Sequence, residues 1–138
     1  MRWMLDTNTC IALIKGTPEA ALKALRGRSI GQVGLSSITL AEMQFGVARS
    51  QRSREAAAAL AEFLLPLEIA SFDDDAALHY GRVRAELASS GQTIGPLDTL
   101  IAGHALALDA ILVTHNMREC ERVEGLRVED WVRGSRRV

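Results

Sequence analysis

Several residue types that mark particular classes of protein are scarce in this chain of 138 residues. It has only two cysteines, Cys10 and Cys120, and no CxxC pair, so we expect neither a disulfide framework nor a cysteine-based zinc site. The longest apolar stretch, 97–113, is interrupted by aspartates and a histidine, so no segment approaches the roughly 18 to 20 apolar residues of a membrane span. Only a few apolar residues precede Asp6, which is too short for a signal peptide. These absences predict a reduced, cytoplasmic protein without a membrane segment.

The chain also lacks a large charge of either sign and has few aromatic side chains. Its formal net charge of -1 excludes a basic coat for nucleic acid over the whole surface. A local nucleic-acid site stays open, because a bound cation can reverse the sign of the field around it. Hydrophobic residues make up 48% of the chain, charged residues 24% and aromatic residues only 4%. This composition predicts one folded domain with an aliphatic core.

Short apolar runs alternate with helical patterns along the chain. We predict strands at 3–5, 32–36, 67–70, 110–114 and 126–128. Thr7 or Asn8 is expected to cap a first helix that ends at Gly16, and further helices are predicted at 18–26, 38–49, 53–65, 73–90 and 96–108. The run 110–114 has no polar alternation before its last residue, which is typical of a parallel strand covered on both faces. The pattern predicts an α/β layered domain.

Polar side chains follow the predicted strands, where ligands bind in open parallel sheets. Asp6 comes after the first strand, Glu42 lies on the helix after the second, and Asn116 follows the strongest one. Asp98 begins the helix that leads into that strand. Each has a structural explanation as well: Asp6 can cap a helix, Asp98 suits the helix dipole, and Asn116 suits a turn.

Glu42 is the most informative of these residues when taken alone. It shares a helical stripe with Ile38 and Phe45, which predicts a carboxylate on an apolar face. Such a carboxylate is costly unless it is paired or bound to a metal. Among the other polar residues, His104 is expected to be structural, whereas His115 can contact a substrate. Five arginines are expected either to form a solvated face or to contact the RNA backbone: Arg49, Arg52, Arg54, Arg136 and Arg137.

Four motifs in a fixed order resemble the PIN-domain nucleases, and within them the VapC toxins of bacterial toxin–antitoxin pairs. The motifs are Met4-Leu5-Asp6-Thr7-Asn8, Ser36-Ser37-Ile38-Thr39-Leu40-Ala41-Glu42, Ile94-Gly95-Pro96-Leu97-Asp98-Thr99-Leu100-Ile101-Ala102 and Leu112-Val113-Thr114-His115-Asn116. The ending at 118–131 is also similar to that group. The resemblance covers nearly the whole chain. It implies a single PIN domain over 1–138, with three α/β/α layers, a short, mainly parallel sheet of about four or five strands and a flexible basic tail at 133–138.

The resemblance further implies that three acids, Asp6, Glu42 and Asp98, converge in a pocket that holds Mg²⁺ or Mn²⁺. Three carboxylates about 5 Å apart repel by roughly 3 kcal/mol per pair at an effective dielectric constant near 20, so protonation or a cation must relieve them. The family often carries a fourth acid where this chain has Asn116. We therefore expect one tight metal ion, with a second one recruited only together with substrate phosphate. Hydroxyl groups of Thr7 and Thr114 are expected to support the ligands.

A VapC-like protein is expected to be an endoribonuclease that hydrolyses a phosphodiester of structured RNA, with tRNA favoured. The resemblance also implies a VapB-type antitoxin that lies over the acidic pocket, and a homodimer that joins a toxin–antitoxin hetero-oligomer. Two alternatives stay open at this point. One is a catalytically silent PIN-fold module that binds RNA or protein, for which Asn116 is the reason. The other is a phosphoesterase that acts on small substrates.

Overall fold

The computed structural model describes residues 1–133 and 136–137. In chain order its elements are β1 (Trp3–Leu5), α1 (Thr7–Lys15), α2 (Glu19–Arg26), β2 (Val33–Ser36), α3 (Ser37–Arg49), α4 (Ser53–Leu64), β3 (Glu68–Ala70), α5 (Asp74–Ser89), α6 (Pro96–Ala107), β4 (Ile111–Val113), α7 (Met117–Cys120), β5 (Val128–Asp130) and β6 (Arg136–Arg137). Every predicted strand and long helix has a counterpart, although β5 begins at Val128, two residues later than the strand predicted at 126–128, and α7 and β6 are additional. No helix in 1–133 is long and apolar enough to cross a bilayer.

The strands form one sheet in the order β3-β2-β1-β4-β5-β6. The first five strands in this order pair in parallel, and β6 adds an antiparallel edge beside β5. The predicted mainly parallel sheet is therefore confirmed, with one more strand than expected. That extra strand comes from the predicted tail. Residues 134, 135 and 138 lie outside the described residues, so the flexibility of the tail stays a prediction.

Helices cover both faces of this sheet. Successive residues of a strand point to opposite faces, so each strand contributes side chains to two separate cores. Leu5 and Val113 pack into a core with residues of α1 to α4, whereas Met4 and Leu112 pack on the other side with Ile101 of α6. Helix α5 lies against α6 and shares a third apolar cluster with it. The α/β/α arrangement is confirmed, and it leaves the carboxyl ends of the parallel strands open as one edge.

Helix caps place the polar residues at this edge. The carboxylate of Asp6 caps α1 and accepts a hydrogen bond from the Thr9 backbone N–H at 2.9 Å. The expectation that Thr7 or Asn8 caps this helix is therefore wrong, because the helix begins directly after the strand. Its end at Gly16, with φ of 76°, is confirmed. Ser36, and not the following serine, caps α3.

Candidate active site

A cleft of about 340 Å³ lies at the carboxyl edge of the sheet. Three acidic side chains line it: Asp6 after β1, Glu42 on α3 and Asp98 in the first turn of α6. The structure thus brings together residues that are 36 and 56 positions apart in the chain. The other residues of the lining are Thr7, Asn8, Gly95, Pro96, Leu97 and Ile101.

Asp6 is the most enclosed of the three acids, with only 5% of its surface exposed. Burial raises the pKa of its carboxyl group above the ordinary value, and the charge of Asp98 adds to that shift. Hydrogen bonds from the Thr114 hydroxyl group and from Thr9 act in the opposite direction. Asp6 is therefore a desolvated carboxylate held in one position by the start of α1, and no cationic side chain among the described residues pairs with it.

Asp98 is half-buried, and opposing effects act on its pKa, as they do on that of Asp6. Its Oδ2 atom accepts a hydrogen bond from the Asn116 side-chain amide at 3.0 Å. Burial raises the pKa of Asp98, the negative charge of Glu119 raises it further, and the Asn116 amide lowers it. Since Asp98 also acts on Asp6, two carboxylates with unfavourable surroundings lie at the same edge of the sheet.

Glu119 is an acid at this site that the sequence analysis missed. It lies on α7, and its Oε2 atom accepts a second hydrogen bond from the side-chain amide of Asn116. The neutral amide thus bridges two carboxylates, Asp98 of the cleft and Glu119 beside it. The spacing Asn116-x-x-Glu119 could have revealed this residue, because Asn followed by Glu three positions later marks a helix start.

Glu42 differs from the other two acids of the cleft. It is half-buried, but Phe45 on the same helical stripe is 59% exposed. The expectation that Glu42 lies on a buried apolar face is therefore wrong, because this side of α3 borders solvent. What places Glu42 in the site is that it lines the same cleft as Asp6 and Asp98.

The two threonines chosen from sequence occupy different places. Thr114 is fully buried, and its hydroxyl oxygen accepts a hydrogen bond from the Asn116 backbone N–H at 2.9 Å. The same hydroxyl group bonds to the Asp6 carboxylate, so it connects both sides of the site. Thr7 lines the cleft and also the groove next to it. The supporting roles of both hydroxyl groups stay predictions.

The donor set fits a hard divalent cation, although the carboxylates are not gathered around one point. Within the described residues, no three His, Cys, Asp or Glu side chains are close enough to ligate the same ion. The expected spacing of about 5 Å among all three acids is therefore not met. Asp6 and Asp98 nevertheless supply oxygen ligands only, and burial has made both carboxylates costly to ionise. Oxygen ligands and uncompensated negative charge are what Mg²⁺ and Mn²⁺ require.

The remaining polar residues separate into structural and exposed groups. His104 is buried, its Nδ1 atom lies 2.8 Å from the Ser36 hydroxyl oxygen, and its ring packs edge-on against Phe72. Burial lowers its pKa, and its predicted structural role is confirmed. Both cysteines are buried free thiols, as expected. The arginines at 49, 52 and 54 lie on the surface, where Arg52 pairs with Glu55 and Arg49 stacks on Phe45.

Comparisons with known proteins agree with this geometry. The sequence matches the PIN domain family over residues 3–126. It is 42% identical to the tRNA(fMet)-specific endonuclease VapC of Salmonella typhimurium over 131 residues, covering 95% of this chain and 98% of that protein. It is 39% identical to ribonuclease VapC2 of Haemophilus influenzae, covering 96% of this chain and 99% of the relative.

Solved structures give the same result for the fold. The DNA-bound VapBC of Salmonella typhimurium has a TM-score of 0.90 at 42% identity, covering 95% of this chain and 98% of that chain. For VapBC2 of Rickettsia felis, bound to a promoter DNA fragment, the TM-score is 0.89 at 39% identity, with coverage of 95% and 99%. The sequence match and the acidic cleft at the carboxyl edge show that this chain belongs to the PIN-domain family, and within it to the VapC ribonucleases.

Proposed function

We propose that this nuclease is a metal-dependent endoribonuclease, in which Asp6 and Asp98 hold Mg²⁺ or Mn²⁺. The observation that carries the proposal is the pair of desolvated carboxylates at the carboxyl edge, each with a raised pKa. A divalent cation bound there supplies positive charge for the phosphate oxygens and makes a water molecule more acidic. The hydrolysis then breaks the bond to the 3′ oxygen and leaves 5′-phosphate and 3′-hydroxyl ends.

The side chains around the cleft divide the remaining work. Asp6 keeps its orientation because the start of α1 and the Thr114 hydroxyl group hold it. Asn116 holds Asp98 through its amide, and Glu119 adds a fourth negative charge behind that amide. Glu42, which lines the same cleft, orients the attacking water or accepts its proton.

Initiator tRNA is the proposed substrate. The Salmonella typhimurium relative is named as an endonuclease specific for tRNA(fMet), and it matches this chain over almost its full length. The proposed place of action is the cytoplasm, where that RNA is found. A structured RNA also suits a shallow, open cleft better than a small phosphoester does, which disfavours the phosphoesterase alternative.

A VapB-type antitoxin is the proposed protein partner, because the similar solved structures are VapBC assemblies. A groove of about 520 Å³ runs between α1, α3 and α4, and its apolar residues include Ile11, Phe45 and Leu60. It shares Thr7, Asn8 and Glu42 with the acidic cleft. An antitoxin segment in this groove can therefore place a basic side chain over the acids and exclude substrate phosphate. A homodimer within that assembly stays a prediction.

The test is cleavage of initiator tRNA by purified protein, with Asp98→Asn as the variant. The substitution keeps the side-chain shape but removes one ligand charge, so we expect cleavage to fall at least about 100-fold. Asp109→Asn is the matched control, because Asp109 is exposed beside Arg127 and its φ of 53° suits Asn. Excess EDTA should abolish cleavage by the wild type, and Mn²⁺ should restore it.

Two results would contradict the proposal. Normal cleavage by a folded Asp98→Asn variant would remove the metal site from the acidic cleft. Intact RNA after incubation with wild type and either metal would favour a silent binding module instead. The absence of an acid at Asn116 is the observation behind that alternative, and the charge of Glu119 beside it argues against it.

A further inference from the structure

A second cleft, of about 450 Å³, adjoins the acidic one. We define this cationic cleft by three basic side chains in its lining, His115, Arg118 and Arg133. Asn116 belongs to the same lining, while its amide donates to Asp98 of the acidic cleft. The side chain of Asn116 therefore connects the two clefts, so neighbouring groups of one RNA strand can reach both.

His115 is held in this cleft by a buried carboxylate. The side chain of Asp130 is only 2% exposed, and its Oδ2 atom lies 2.9 Å from Nδ1 of His115. Its other oxygen accepts hydrogen bonds from the backbone N–H groups of Val132 and Arg133. Asp130 is thus fixed by three partners, and its carboxylate is paired with Nδ1 of His115, whose side chain is 46% exposed. The Nε2 atom is left for a ligand, so Asp130 acts as a positioning residue.

Two arginines of the cationic cleft have no acidic partner. Neither Arg118 nor Arg133 forms an ion pair with a carboxylate in the described part of the chain, although several other arginines do. Both side chains are exposed. Glu121, the one exposed acid of this lining, pairs with neither of them. Guanidinium groups that line the same cleft as a fixed imidazole suit a phosphate group, which accepts several charge-assisted hydrogen bonds.

We infer that the cationic cleft is a phosphate subsite, in which His115, Arg118 and Arg133 hold an RNA phosphate next to the scissile one. The inference rests on the proposed ribonuclease function and extends it. The acidic cleft repels the rest of the RNA backbone, and the net charge of the chain is -1, so attraction must come from a local group of cations.

The test measures RNA binding and cleavage for Arg118→Gln, Arg133→Gln and His115→Gln. Glutamine at 115 keeps a donor for Asp130 but removes the ring nitrogen that faces the cleft. Binding of initiator tRNA is measured by fluorescence anisotropy in an Asp98→Asn background, so that no cleavage occurs. We expect each change to weaken binding about fivefold for every RNA sequence tested, and the double arginine variant to lower the salt dependence of log Kd by about 0.7, the value for one phosphate contact.

Kinetics of the same variants with Asp98 intact separate binding from chemistry. We expect KM to rise about fivefold while kcat stays within about twofold, since the subsite holds substrate away from the bond that breaks. Glu121→Gln should have the opposite effect and tighten RNA binding, because it removes a negative charge from the cleft. Arg82→Gln is the matched control, as Arg82 is an exposed residue of α5 outside both clefts.

The outcomes distinguish this inference from the proposed function. If wild type cleaves RNA and the double arginine variant binds and cleaves as well as Arg82→Gln does, the subsite is wrong and the function stands. If wild type cleaves nothing, the function fails while the binding data still decide on the subsite. Normal RNA affinity combined with weaker antitoxin binding would also overturn the inference, because the cleft would then hold a carboxylate of the antitoxin.

Discussion

Replacing Asn116 by Asp is the sharpest test of the acidic site. The Asn116 amide donates to Asp98 at 3.0 Å and also to Glu119, so it separates two carboxylates. Aspartate at this position has almost the same shape but no donor. The substitution therefore turns a bridge between two acids into a third negative charge, in a family in which an acid is often expected there.

The expected loss of stability depends on the distance between the new carboxylate and its acidic neighbours, and the free energy of protonating one carboxylate sets its upper limit. Two charges at about 4 Å repel by about 4 kcal/mol at an effective dielectric constant of 20 and by about 1 kcal/mol in water. Asn116 is half-buried, so the repulsion between an aspartate at this position and each of its two acidic neighbours lies between these values. Taking up one proton at pH 7 costs an aspartate about 4 kcal/mol, which limits the total. We expect the metal-free variant to lose about 3 to 4 kcal/mol, or roughly 10 °C in Tm.

The assay combines thermal melts in EDTA with calorimetric titration of Mg²⁺ and Mn²⁺. The added charge should tighten metal binding at least about tenfold and restore most of the lost Tm. Asn116→Ala is the control, since it removes the same hydrogen bonds without adding charge, and we expect it to cost about 1 to 2 kcal/mol with little gain in metal affinity. If Asn116→Asp leaves both the apo melt and the metal affinity unchanged, the carboxylates do not share one site and our reasoning fails.

Three further predictions concern the same structure. Burial raises the pKa values of Asp6 and Asp98 in the folded protein. Both groups therefore stabilise the folded, metal-free protein at low pH, and this stabilisation is lost as the pH rises through their folded pKa values. The difference in Tm between Mg²⁺-loaded and EDTA-treated protein should therefore become smaller from pH 7 to pH 5. Thr114→Val should lower metal affinity about 10-fold or more in calorimetry, since it removes the hydroxyl group that holds Asp6; unchanged affinity would exclude that role. Gly103→Ala places a methyl group 2.7 Å from the backbone of α5 and should cost about 2 kcal/mol or more in denaturant unfolding, whereas Gly81→Ala, with open space around it, should stabilise the protein by up to about 1 kcal/mol.

The strands and long helices were predictable because their patterns extend over several residues. The uninterrupted apolar run at 110–114, for instance, becomes the buried strand β4. Helix α7 has four residues, which is about one turn and too short for a helical period, and the two residues of β6 are both arginines. The cap of α1 was assigned one or two residues too late, because Asp6, Thr7 and Asn8 are all good capping residues.

The site was predictable where it depends on strand ends and not where it depends on exposure. Asp6 and Asp98 line one cleft because β1 and β4 are parallel neighbours, which puts the end of β1 and the start of the helix before β4 at the same edge. Glu42 reaches the cleft for a reason other than the one given from sequence, since the stripe that it shares with Phe45 is partly exposed. Glu119 follows no strand directly, and its contact with Asn116 depends on a helix of four residues, for which the Asn116-x-x-Glu119 spacing is the one signal in the sequence.

The structural and the functional explanations of Asp6 turn out to be compatible. Its Oδ1 atom caps α1 while the carboxylate lines the acidic cleft, so the fold itself fixes where this oxygen ligand lies. Burial that fixes the carboxylate also raises its pKa, and the nearby Asp98 adds to the cost of ionising both. A cation bound to the folded chain removes that cost, and in the unfolded chain the cost does not exist. The proposed metal binding therefore links to folding stability through these two residues, because the acids that destabilise the metal-free domain are the ones proposed to hold the cation.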